Sequence, residues 1–282
     1  MIKTMKHIRV ERDDAVGVLT IARPERHNSF DVETAQDFRS AAMQLARDRD
    51  VRAVLIRGEG GLFCSGADLK YIREGGNADD LAYLQPHSAH GPAEGYGEIF
   101  KQILEYVHSA ISEIRRAAKP FIAAVDGPAA AGGFGIAMSC DLVIASERSC
   151  FEWAFSKTGL TGAESSTFFL PRLLGLRRAL EFVLLNPRLS AREALEWGLI
   201  NSVVSDDALE SVAWGMARQL AEAPTAAVGI AKSLLNRAAG MERLDPHLDA
   251  ELTELARIAD GPNFAEGLAA FFEKRAPIFE SE

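Results

Sequence analysis

FIAAVDGPAAAGGFGIAMSCDLVIAS, residues 121–146, places two short apolar runs, 121–125 and 142–145, on either side of a glycine-rich turn, 127–135. The turn runs into a helical segment, 136–140. A strand, a turn, a helix and a second strand in so few residues is α/β patterning rather than all-α or all-β. Upstream, 16–22 and 51–57 read as further strands. Between them, residues 31–47 repeat Val32, Ala35, Phe38, Ala42 and Leu45 at helical spacing behind Asp31, whose carboxylate can cap the helix. A second glycine-rich segment, GLFCSGADL at 61–69, follows the strand 51–57. At such turns backbone N–H groups can face a ligand with no side chain in the way. Neither segment matches G-x-x-x-x-G-K-[ST] or G-x-G-x-x-G, so phosphate-loop and dinucleotide chemistry are not indicated.

Further out, residues 75–97 carry Gly, Pro, Asn and Asp without a sustained period and read as a mobile loop or lid. Its Asp79, Asp80, His87 and His90 could reach a site only if the lid closes. Phe100, Ile103, Leu104, Val107, Ile111 and Ile114 then trace one face of a helix that ends before Pro120. From residue 173 strands nearly vanish, 199–204 being the main exception. The segments 209–220, 226–239, 244–259 and 264–275 read as helices punctuated by Pro224, Gly240 and Gly261-Pro262. The expected organisation is an α/β core over residues 1–205 and a helical region over 206–282.

The 282 residues carry 31 Lys plus Arg against 40 Asp plus Glu, a net charge of −9 that disfavours nucleic acid as a partner. No apolar run approaches the roughly 20 residues of a membrane span, and no signal-peptide pattern opens the chain. Cys64, Cys140 and Cys150 have neither even number nor metal spacing, so they read as reduced thiols in a cytoplasmic protein with no metal site.

Five motifs in order, RPERHNSF (23–30), GLFCSGADL (61–69), AVDGPAAAGGFGIAMSCDLVIAS (124–146), GLTGAESSTFFLPRLLG (159–175) and EGLAAFFEKRAPIF (266–279), together resemble the crotonase, or enoyl-CoA hydratase/isomerase, superfamily. The resemblance spans nearly the whole chain. It implies a crotonase-like spiral of ββα turns, a C-terminal helical trimerisation region, and a site for acyl-coenzyme A thioesters. It implies an oxyanion hole built from the N–H groups of Ala67 and Gly132. Fixed donors of this kind stabilise an enolate forming on a thioester oxygen. Coenzyme A contacts carry over to Arg26, Ser65, Ala67, Asp68 and Leu69. Phe271 and Lys274 would approach the nucleotide from a neighbouring subunit. Phe134, Gly135, Trp153 and Phe155 fall on motifs near the acyl pocket, as does Phe168, for which core packing is the simpler reading.

The sequence departs from the hydratase pattern at the chemistry. Hydration of a C=C bond needs a base for water and an acid for carbon. The two glutamates that supply them in hydratases fall here at Gly135 and Phe155. The remaining carboxylate is Glu164, one residue after Ala163, where some isomerase members carry an Asp. Glu164 could transfer a proton or cap the helix that begins at Ser165. Glu152, on a strand whose Phe151, Trp153 and Phe155 should face the pocket, is expected to point away. These residues favour an isomerase or related lyase without metal or redox cofactor. An acyl-CoA binding protein that has lost its chemistry and a thioester hydrolase are the alternatives. Leu248, Leu252, Leu255 and Ile258 form an apolar face that could bury in a homotrimer or dimer of trimers.

Overall fold

The computed structural model describes residues 5–77 and 95–281. The lid segment lies largely outside them, so the readings at Asp79, Asp80, His87 and His90 concern residues that are not described. The β-branched runs assemble into one sheet whose strands lie in the order β1 (Ile8–Asp13), β2 (Val16–Ile21), β3 (Ala53–Gly58), β4 (Phe121–Val125), β6 (Leu142–Ser146) and β9 (Ser202–Val204). The β1–β2 pair is antiparallel and the rest are parallel. A second sheet joins β5 (Pro128–Ala130), β7 (Cys150–Glu152) and β8 (Leu189–Ser190).

In-register pairing puts Val18 beside Leu55 and Leu55 beside Ile122, so alternate residues form a common face. That face is covered by α8 (Leu209–Glu222) through Leu209, Ala213 and Ala217. The opposite face, with Leu19, Ile56 and Ala123, packs into the larger core formed with α1 (Val32–Arg47) and α3 (Tyr96–Arg116). Burial on both sides explains why β4 is apolar throughout and β2 is interrupted only by Thr20, rather than either alternating. Strand β1, IRVERD, escaped the sequence reading because it lies at the sheet edge with its later residues exposed. Asp31 caps α1 as expected, accepting from Thr34 N–H at 2.8 Å.

The helix α10 (Leu244–Ala259) lies against α3, and this corrects one expectation. Leu248 and Leu255 are buried in the chain's own core, and Leu252 and Ile258 pack partly against it, so this face is not free for a second subunit. Among the exposed apolar side chains are Leu176, Leu180, Leu184 and Leu185 on α6 (Leu176–Leu185) and Ile230, Leu234 and Leu235 on α9 (Thr225–Ala238). No described helix is long and apolar enough to cross a membrane.

Candidate active site

The two glycine-rich segments are tied together by backbone. Cys64 N–H donates to Pro128 C=O at 3.3 Å, and Ala130 N–H returns to Cys64 C=O at 3.0 Å. Phe30 donates to Gly66 C=O and accepts from Asp68 N–H, both at 2.8 Å. Gly66, at φ +91°, allows the close approach of the two turns: a side chain there would stand 2.9 Å from Gly132 N. Gly132 opens α4 (Gly132–Ser139), which begins four residues earlier than the sequence indicated. Ala131 before it is held at φ 47°, a strained value for a residue with a Cβ, by a bond from its N–H to Glu152 C=O. Among the described residues, neither Ala67 N–H nor Gly132 N–H has a backbone acceptor.

A cavity of about 500 Å³ opens beside this pair of turns. Arg26, Ser65, Ala67, Asp68, Leu69, Phe155, Glu164 and Phe271 of the expected residues line it. Asp68 is a framework residue within that wall. It caps α2 (Leu69–Arg73) through Lys70 and Tyr71 N–H and receives Arg23 Nη1 at 2.9 Å and Arg26 Nη2 at 2.5 Å. Burial disfavours its charge, but the Arg26 hydrogen bonds, the Tyr71 N–H and the two guanidinium charges outweigh that and hold its carboxyl below the ordinary range.

Glu164 is the opposite case. The chain takes two consecutive left-handed residues, Glu164 at φ 48° and Ser165 at φ 64°, before α5 (Ser166–Leu174). The capping role considered for Glu164 is taken by another residue. Glu251 of α10 accepts from Ser165 N–H at 2.8 Å and from Thr167 N–H at 3.0 Å. Glu164 N–H donates to His108 Nε2 at 3.1 Å. Its carboxylate therefore turns toward the cavity, with Oε2 buried and unpartnered among the described residues and Oε1 against Gly132. Burial, with the nearby Glu251 charge adding to it, pushes its pKa up to about 8. His108 is driven down to about 4 by burial and is neutral at physiological pH.

Several acyl-pocket expectations need correction. Trp153 is buried beside Phe155 and off the cavity wall, and Phe134 packs in the core against Phe182. Gly135 sits behind Glu164, where a side chain would overlap the Glu164 carbonyl oxygen and come within 2.8 Å of its Cβ. Glu152 lines the cavity, where it was expected to point away. Strand alternation stops at Glu152, and Ala154 enters the left-handed region, so a short 3-10 turn (Phe155–Thr158) brings Glu152, Ala154 and Phe155 to the same wall. Glu152 is paired there with Lys157 Nζ. Lys274 lies off this wall, in an adjoining hollow that shares Lys157 and Phe271. Phe271 reaches the cavity within its own chain, because α11 (Pro262–Glu273) packs Gly267 directly on Thr158. Phe100, Leu160, Leu255 and Phe272 complete the apolar wall and were not anticipated. Phe168 is core, ring to ring with Phe169.

Paired backbone donors beside an apolar cavity and a buried carboxylate carry the sequence motifs into one place. The enoyl-CoA hydratase/isomerase family model matches residues 11–90 and 94–282. The chain belongs to this family. Among its relatives, 1,2-epoxyphenylacetyl-CoA isomerase of Escherichia coli (strain K12) is 35% identical over 98% of this chain and 98% of that protein. The 4-chlorobenzoyl coenzyme A dehalogenase-2 of Arthrobacter sp. is 34% identical over 95% of this chain and 91% of its own length. An enoyl-CoA hydratase structure from Mycobacterium avium subsp. paratuberculosis K-10 superposes with a TM-score of 0.84 at 30% identity, covering 98% of this chain and all of that one. The fold is the crotonase fold, and the protein is an acyl-CoA-processing enzyme of this family.

Proposed function

We propose that the enzyme shifts a proton along the acyl chain of an aromatic acyl-CoA thioester, as an isomerase rather than a two-glutamate hydratase. Glu164 takes a proton from one carbon of the acyl chain, the electron pair moves onto the thioester oxygen, which accepts from Ala67 and Gly132 N–H, and Glu164 returns the proton to another carbon of the enolate so formed. The observation that carries this reading is the free carboxylate of Glu164 beside the Gly132 turn. Gly135 leaves open the space that a side chain would fill, and Glu164 occupies it. A carboxylate with a pKa raised to about 8 is a strong base once ionised and a ready acid when protonated.

The aromatic substrate class rests on Phe100, Phe155, Phe271 and Phe272 around the cavity, and on the aromatic acyl groups in the names of the isomerase and dehalogenase relatives. Coenzyme A is part of the substrate, and proton transfer next to a thioester needs neither metal nor redox cofactor. The exposed leucines of α6 and α9 supply the apolar area for a homotrimer or dimer of trimers. The test is turnover and calorimetric binding across a panel of aryl and alkyl enoyl-CoA thioesters. Isomerisation of an aryl member with negligible hydration of crotonyl-CoA is expected. Rapid crotonyl-CoA hydration, or no binding of any member, overturns the reading.

A further inference from the structure

Helix α10 contributes a charged residue that the cavity does not see. Glu251 is 5% exposed and lies outside the cavity wall, yet both its oxygens are used on the turn that carries Glu164. Oε2 accepts from Ser165 N–H, and Oε1 accepts from Thr167 N–H and from the Thr167 hydroxyl. The free N–H groups of a helix N-terminus attract whichever anion is nearest. Glu164, two residues before α5 begins, is the other carboxylate next to that helix end. Glu251 occupies the helix end and so releases Glu164 to the cavity.

The same carboxylate faces Glu164 electrostatically. The groups around Glu164 are His108 on α3, Glu251 on α10 and the Cys64 thiol on the 61–69 segment. His247 and Asp249 on α10 stand in the next layer, around His108 and Glu251. Cys64 stays protonated because burial pushes its pKa up to about 12. His108 uses Nε2 as an acceptor for Glu164 N–H, which requires that nitrogen to be unprotonated, and it lies 3.9 Å from Glu251 Oε2. Burial opposes the charge on Glu251, but its bonds to His247, Thr167 and Ser165 N–H and the His108 contact hold its pKa below the ordinary value. Glu251 is thus the one lasting negative charge beside Glu164 among these groups.

We propose that Glu251 is the positioning residue of this site: it holds the Glu164–Ser165 turn so that the Glu164 carboxylate faces the cavity, and its charge, added to burial, opposes ionisation of Glu164. The proposal rests on the proton-transfer role assigned to Glu164, but its test includes a readout that needs no turnover. Each of wild type and E251Q is compared with its own E164Q counterpart in thermal melts from pH 5 to 9. The histidines titrate in both members of each pair and cancel in the difference, so the pH at which the melting difference levels off reports the ionisation of Glu164 in the folded state. In the wild-type background it should level near pH 8, and in the E251Q background at a clearly lower pH. In activity assays E251Q should lose about 10- to 100-fold in kcat with KM little changed, the scale of a small misplacement of a reacting group. Should E251Q fail to fold, E251D keeps the charge and shortens the reach, and it should lower kcat while leaving the levelling pH in place. Equal levelling pH in the wild-type and E251Q backgrounds, or wild-type kcat in E251D, overturns the proposal. Full activity of E164Q overturns the proton-transfer reading instead, and the melting comparison still decides whether Glu251 controls Glu164.

Discussion

Of the buried carboxylates on the cavity wall, Asp68 and Glu164 each stand just ahead of a short helix, and they have opposite fates. Asp68 keeps its charge because two arginines and two backbone N–H groups converge on it. Glu164, equally buried, has lost the helix end to Glu251 and is left with an unpartnered oxygen. Burial alone therefore does not decide the charge of an acid in this protein. The supply of donors does: the saturated carboxylate stays ionised, and the unsaturated one holds its proton.

The largest effect that could break this contrast is at Asp68. D68N keeps the size of the side chain but leaves Arg26 with a neutral partner and Arg23 with Asp31 as its remaining carboxylate. It should cost about 3–5 kcal/mol in a denaturant titration, the usual scale for half of a buried ion pair. A near-neutral result would mean that Asp68 is not scaffold. Next comes the stability of E164Q as a function of pH. Because the folded-state pKa of Glu164 lies near 8 and the unfolded one near 4.5, the wild type loses stability as pH rises between those values. E164Q does not titrate. Its melting temperature relative to wild type should climb from pH 5 to 8 and then level, at about 1.4 kcal/mol per pH unit at most. A flat difference would show that Glu164 is not held protonated.

Smaller effects sharpen the comparison. G135A places a methyl against the Glu164 backbone and should destabilise by about 1–3 kcal/mol, the range for overpacking, with activity falling further than stability explains. R26K leaves Arg23 on Asp68 but gives up the two-pronged contact, and about 1 kcal/mol is expected. A loss as large as that of D68N would move the weight of the network from Arg23 to Arg26.

The sequence exposes parts of this arrangement because they are local. The strand at 121–125, the cap at Asp31, the helix at 244–259 and the two glycine turns are each decided by neighbours a few residues away. What could not be read is held together at long range. Glu251 reaches Ser165 across 86 positions and His108 reaches Glu164 across 56, and neither residue belongs to a motif. Glu152 was misread for a different reason. Its two-residue period was projected through Ala154, where a left-handed backbone ends the strand and rotates the wall.

The central claim is that Glu164 moves the proton, and the most direct measurement is the turnover of E164Q on the thioester that the wild type converts fastest. A loss of about 100-fold or more in kcat, with thioester affinity unchanged and a melting temperature no lower than wild type at neutral pH, is the predicted result. Undiminished turnover by E164Q would contradict it and move attention to Glu152, another buried carboxylate on the cavity wall.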